Sequence, residues 1–135
     1  MRYFLFTDGA SRGNPGPAAA GVVLKNGGGT IFEEKSQFLG RMTNNEAEYK
    51  ALLLGLELAK RRVKSGDSLV CVMDSQLVVS QLKGDFKVKA RHLRELITEV
   101  RSKEKEFPAV TYKLVSREKN AHADRLANRA LNLAL

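Results

Sequence analysis

The sequence predicts an α/β domain built on a five-stranded mixed sheet, an antiparallel meander extended by parallel strands and flanked by helices. Three observations carry this. Two turn clusters near the N-terminus, Asp8 to Pro17 and Asn26 to Gly29, separate three segments of strand character, the layout of a meander. From Thr43 onward the apolar residues recur at three and four, the helical period. Short apolar runs then alternate with helical stretches, which calls for strand–helix–strand crossovers.

Arg2 to Asp8, rich in aromatic and branched residues, is the first strand; Ala19 to Lys25 is the second and Thr30 to Leu39 the third. Thr43 or Asn44 caps a helix running to about Val63, which Ser65-Gly66-Asp67 ends. Ser68 to Met73 reads as a short strand buried on both faces. A short helix, Ser75 to Leu82, stops at Lys83-Gly84-Asp85, and a more polar one spans about Ala90 to Glu106 before Pro108. Val110 to Ser116 alternates as a strand, and Asn120 caps a last helix through Leu133. The order is βββαβααβα. No repeat, low-complexity tract or linker interrupts it, so one domain over residues 1–135 is expected.

Composition narrows the function classes. With 43% hydrophobic and 28% charged residues among 135, the chain is not disordered. Its net charge of +8 favours a polyanionic partner, with solubility as the plain alternative. Cys71 is the only cysteine, so no disulfide forms within the chain, and its apolar neighbours make it a buried small hydrophobe. No signal-peptide layout follows the short apolar stretch Tyr3 to Phe6, and no run nears the ~18 apolar residues of a membrane span. No membrane role and a cytoplasmic setting are the expectations.

Four carboxylates stand out by position. Asp8 ends a strand and continues the face of Phe4 and Phe6, where an acid is costly unless something cationic meets it. Otherwise it is a turn-initiating Asp before Gly9. In the helix after Thr43, Glu46 and Glu48 lie two apart and point about 200° apart. Glu46 shares a stripe with Lys50, Leu53, Glu57 and Lys60, and pairs such as Glu46–Lys50 and Glu57–Arg61 mark a solvated face. Glu48 shares its stripe with Leu52, Gly55 and Ala59, the face against the sheet. Asp74 follows an apolar strand, either as an N-cap or at the strand end where α/β sites form. Asp124 opens the last helix beside the apolar stripe Ala123, Leu126, Ala127, Ala130 and Leu131, where the macrodipole also suits an acid. Hard oxygen ligands without matching His or Cys point to Mg²⁺ or Mn²⁺ rather than zinc.

These residues fall within four motifs. Thr7-Asp8-Gly9-Ala10-Ser11-Arg12-Gly13-Asn14-Pro15-Gly16-Pro17 resembles the opening motif of type 1 ribonuclease H, and Thr43-Asn44-Asn45-Glu46-Ala47-Glu48 resembles its helix motif. Asp74-Ser75-Gln76 is similar to the third, and Asn120-Ala121-His122-Ala123-Asp124-Arg125-Leu126-Ala127 to the last. Any one is weak; four in order and at the right spacing are specific.

The resemblance implies a ribonuclease-H-like fold and cleavage of the RNA strand of RNA–DNA hybrids to 3′-hydroxyl and 5′-phosphate ends. By motif match Asp8, Glu48, Asp74 and Asp124 are the metal-binding tetrad, holding two Mg²⁺ ions about 4 Å apart, with Mn²⁺ able to substitute. Asn14, Asn44, Asn45 and Gln76 match residues that read the RNA 2′-hydroxyls, and turn and cap chemistry is their other use. The backbone from Gly9 to Gly13 offers close approach to the sugar-phosphate.

Two departures bear on the carry-over. Ser116-Arg117-Glu118-Lys119-Asn120 runs straight into the last helix, so the loop with a mobile histidine found in many relatives is missing. Arg117 and His122 are the auxiliary candidates near the metals, His122 otherwise being an exposed first-turn residue. The basic, tryptophan-bearing protrusion is also absent. In its place Lys83 to Arg91 resembles a shorter bacterial and archaeal branch, with Lys87, Lys89 and Phe86 as candidates for contact with the DNA strand. A monomer acting on RNA–DNA hybrid is the reading, double-stranded RNA being a further substrate to test. A non-catalytic RNA- or hybrid-binding module is the alternative.

Overall fold

The structure is a computed structural model and describes residues 1–85 and 87–135; the contact expected of Phe86 lies outside the described residues. Its elements are β1 (Arg2–Ser11), β2 (Gly16–Asn26), β3 (Ile31–Met42), α1 (Asn44–Ala59), β4 (Ser68–Met73), α2 (Gln76–Leu82), α3 (Arg91–Glu104), β5 (Val110–Leu114), a 3-10 turn (Arg117–Asn120) and α4 (Ala121–Ala134). The five strands form one mixed sheet in the order β3-β2-β1-β4-β5. β2 pairs antiparallel with β1 and β3, while β4 runs parallel to β1 and to β5.

The element order is the expected one, and the differences lie at the ends. β1 continues past Asp8, pairing with β2 as far as Ser11 opposite Ala18, so Asp8 sits inside a strand rather than at its end. β3 reaches Met42, which sets Thr43 directly at the start of α1. Thr43 caps that helix in a reciprocal box: its hydroxyl accepts from the Glu46 N–H at 3.2 Å, and Glu46 Oε1 accepts from the Thr43 N–H at 3.0 Å. Glu46 therefore caps instead of pairing with Lys50. Glu57 bonds Lys103 of α3 at 2.9 Å rather than Arg61, because α3 packs alongside α1.

Alternation along β1 sorts the core. Tyr3 and Leu5 face α1 and join Leu24, Tyr49, Leu52, Leu56, Cys71, Met73, Leu93, Leu96 and Val100 in one buried cluster. Phe4, Phe6 and Asp8 point to the opposite face. On that face α4 covers the β2–β3 side, with Leu131 and Ala130 packed on Ala19. α4 also packs on β1, but it does not extend over β4 and β5. No helix of the described residues is long and apolar enough to cross a membrane.

Candidate active site

Two glycines bring the carboxylates together. A Cβ at Gly9 would lie 2.2 Å from the Ala47 backbone, so only glycine lets β1 touch the first turn of α1. The Gly9 N–H donates to Glu48 Oε1 at 3.0 Å, setting Glu48 beside Asp8. A Cβ at Gly21, the β2 partner of Asp8, would lie 1.9 Å from the Ala123 carbonyl oxygen. The first turn of α4, carrying Asp124, is thereby pressed against the strand next to Asp8. Asp74 arrives from β4, which pairs with β1 through Val72 and Phe6. Ser75, not Asp74, caps α2, its hydroxyl accepting from the Val78 N–H at 3.3 Å. Asp74 is thus left for the cluster.

Asp8, Glu48 and Asp74 each offer a carboxylate oxygen, and these lie within 4.8 Å of one another. Asp124 lines the same groove without belonging to that triad, its Oδ1 accepting from Asn128 Nδ2 at 3.2 Å. The groove holds about 530 Å³ and is also lined by Ser11, Asn44, Asn45, Ser75 and Arg117.

Its electrostatics are those of crowded acids. Asp8 is 6% exposed and Glu48 8%. Burial pushes the Asp8 carboxyl far above the ordinary range, and the charges of Glu48 and Asp74 add to this. Burial also raises Glu48, opposed by hydrogen bonds from Asp8 and the Gly9 N–H and by the Arg117 charge. Glu48 Oε2 is buried with no hydrogen-bond partner. A buried oxygen without a partner, on a residue of this triad of hard oxygen donors, fits a divalent cation, which would supply the missing positive charge.

The remaining predicted residues distribute as follows. Asn44 and Asn45 line the groove, and Asn14 joins them indirectly, its Oδ1 accepting from the Asn44 N–H at 3.0 Å. Asn44 Oδ1 in turn accepts from the Ser11 N–H at 3.2 Å, tying the β1–β2 connection to α1. Gln76 is exposed at the start of α2, and Lys87 and Lys89 are exposed between α2 and α3; none of the three lines the groove.

Two of the candidate residues are engaged within the fold. The Gly9 amide donates to Glu48 and the residue packs against Ala47, so Gly9 holds β1 and α1 together while lining the groove. The His122 imidazole meets Glu34 of β3 at 2.9 Å and does not line the groove, because it leaves α4 on the side of the sheet edge.

Asn120 holds the cap position of α4 but its side chain donates to the Thr7 carbonyl at 2.9 Å, fastening the turn to β1 beside Asp8. Sequence reasoning passed over Asn128, Ser11 and Ser75. Asn128 lies one helical turn after Asp124, a spacing that puts both on one face and could have found it.

Carboxylates drawn from β1, α1, β4 and α4 around a β3-β2-β1-β4-β5 sheet are what ribonuclease-H-like domains present, and comparison with known proteins agrees. A family model described as reverse transcriptase-like matches residues 6–130. The crystal structure of RNase H1 from Halobacterium salinarum superposes with a TM-score of 0.92 at 42% identity, covering 98% of each chain. LC11-RNase H1 in complex with RNA/DNA hybrid gives a TM-score of 0.92 at 40% identity, again covering 98% of each. The chain belongs to the type 1 ribonuclease H family. Among curated proteins, a bifunctional protein of Mycobacterium tuberculosis is 43% identical over 136 residues, covering 99% of this chain and 36% of that protein. Ribonuclease HI of Halobacterium salinarum is 43% identical over 131 residues, covering 97% of this chain and 65% of its own length. The chain thus spans about a third of the first and about two thirds of the second of these curated relatives.

Proposed function

We propose that the chain is a metal-dependent endoribonuclease that hydrolyses the RNA strand of RNA–DNA hybrids, leaving 3′-hydroxyl and 5′-phosphate ends. The observation that carries this is the meeting of Asp8, Glu48 and Asp74 within 4.8 Å, with a buried Glu48 oxygen lacking a partner. Those three and Asp124 are the residues to hold two Mg²⁺ ions, Mn²⁺ being the substitute. Bound there, the ions supply Lewis-acid stabilisation of phosphate charge and a nucleophilic water at neutral pH.

The chain's own groups do the rest. The Gly9 N–H fixes one Glu48 oxygen and leaves the other without a partner. Arg117 on the rim offsets the acids where a phosphate must enter. Asn44 and Asn45, with Asn14 behind them, offer amides to the 2′-hydroxyls that distinguish RNA from DNA. Gln76, Lys87 and Lys89 continue that surface toward the DNA strand. A relative solved with RNA/DNA hybrid supports this substrate. We further read residues 1–135 as one domain, supported by the single sheet, acting as a cytoplasmic monomer.

The test is cleavage of matched end-labelled RNA–DNA, RNA–RNA and DNA–DNA duplexes with Mg²⁺, Mn²⁺ or EDTA, beside Asp74→Asn. Metal-dependent cutting of hybrid RNA that the variant abolishes is the expected result, and the RNA–RNA lane sets its breadth. Intact duplexes in every metal lane, with hybrid still bound, would make the protein a non-catalytic binding module instead.

A further inference from the structure

The half of the sheet that α4 leaves uncovered carries a second, separate set of groups. Phe4 and Phe6 alternate along β1 on this face, and the row through Phe6 continues to Val72 of β4 and Lys113 of β5. Together with Lys25, Val115 and Lys119 they line a shallow cavity of about 310 Å³ that includes no acidic residue. Lys25 Nζ lies 4.4 Å from the Phe6 ring centre, and the Arg2 guanidinium carbon lies 5.5 Å from that of Phe4. Among the described residues none of Arg2, Lys25, Lys113 and Lys119 makes an ion pair.

A merely solvated face interleaves charges of both signs, as happens on the far side of the sheet, where Arg62 stands 4.0 Å from Glu33. Here two aromatic rings lie among cations of one sign. Half-buried phenylalanines lend little to solubility, and the cations above them are long side chains able to swing away.

We propose that this open half of the sheet is a second nucleic-acid site, taking a single-stranded segment whose bases stack on Phe4 and Phe6 while Arg2, Lys25, Lys113 and Lys119 meet its phosphates. Single strands suit it because their bases expose π-faces for stacking, whereas a duplex hides them within its own stack. Successive residues on one face of a strand are about 7 Å apart, the reach of bases splayed along an extended backbone. Phosphate contact draws Lys25 and Arg2 off the rings and uncovers the stacking surface. On the same face, Asp8 follows Phe6 at the next position along β1, so the strip leads towards the carboxylate groove without using any of its carboxylates.

The site is tested by fluorescence anisotropy with a short labelled oligothymidylate in EDTA, where cleavage plays no part. Wild-type protein is expected to bind it, and blunt RNA–DNA hybrid held in excess should leave most of that binding in place. Lys25→Gln with Lys113→Gln should weaken it about tenfold at low salt and shallow its log–log salt dependence by roughly 0.7 per lysine. Phe6→Leu should weaken it severalfold with little change in salt slope, since it removes stacking and not charge. Cleavage of blunt hybrid should be unchanged in the lysine variant, which keeps this test separate from that of the nuclease activity. No binding by wild type, full displacement by hybrid, equal binding by the lysine variant, or equally tight binding of polyglutamate would each overturn the proposal.

Discussion

Asp8 is the residue on which the site's energetics turn. It is buried inside β1 beside two other acids, so without a cation its neutral form is favoured. Its folded-state pKa lies above the unfolded one, so the folded protein holds a proton that the unfolded chain releases. The associated stability is complete at acid pH and is lost as pH rises from the ordinary carboxylate range through neutrality. Metal-free protein should therefore show a melting temperature that falls with rising pH across that span, a slope that Asp8→Asn reduces and saturating Mg²⁺ opposes. At pH 8 in EDTA, Asp8→Asn should melt a few degrees above wild type, because the amide needs no proton to be neutral. The same substitution should cost activity at least about a hundredfold, the effect of roughly 3 kcal/mol less transition-state stabilisation. A variant that is more stable without metal yet inactive with it separates a site built for cations from an ordinary buried acid. A pH-independent melting temperature in EDTA would deny that burial and the neighbouring acids raise the Asp8 carboxyl.

Between elements, the site depends on two contacts that only glycine permits, and each can be probed with one methyl group. Gly21→Ala places carbon 1.9 Å from the Ala123 oxygen, so α4 must move away from β2 and take Asp124 with it. Overpacking of this kind costs about 1–3 kcal/mol. We expect such a loss in urea unfolding, together with a fall in kcat larger than the change in hybrid affinity. Thr43→Ala supplies the contrast. It removes one cap hydrogen bond from α1 and should cost about 1 kcal/mol with little effect on kcat, because the Gly9–Glu48 contact still anchors the helix start. Equal kinetic defects in the two variants would show that general loosening, and not the position of α4, sets the rate.

These contacts also mark what was legible in the sequence. Helical periodicity alone assigned Glu48 to the sheet side and Glu46 away from it, since a two-residue step reverses direction on a helix. The order of elements and the placement of Asp74 after β4 likewise followed from local pattern. What local pattern misses is partner choice across long sequence separations. Asn120 carries the residue type of a cap, yet bonds Thr7 113 positions away. His122 meets Glu34, and the Gly9 amide turns inward, because α4 and α1 lie where only tertiary packing sets them. Glu46 was within reach of sequence reasoning: Thr43-Asn44-Asn45-Glu46 has the spacing of a capping box.

Over the whole molecule a net charge of +8 surrounds a groove in which four acids gather. Such a protein meets a polyanion first through its rim, where the exposed Lys87 and Lys89 sit on the connection between α2 and α3. Arg94 of α3 donates to the Lys89 carbonyl at 2.7 Å, so Lys89 is presented from a pinned backbone. If both lysines meet phosphates, each pairing releases a counterion on binding, and removing them must lower both the affinity and its salt slope. Lys87→Glu with Lys89→Glu should raise the Kd for RNA–DNA hybrid tenfold or more at low salt, and reduce the log–log salt slope by about 0.9 for each phosphate no longer neutralised. Exposed charges contribute little to folding, so the melting temperature should stay within about a degree of wild type. At saturating hybrid kcat should hold, because neither lysine reaches the carboxylate groove. A defect confined to kcat would instead mean that the connection positions the groove. An unchanged Kd would remove it from the interface and leave the hybrid to the groove rim alone.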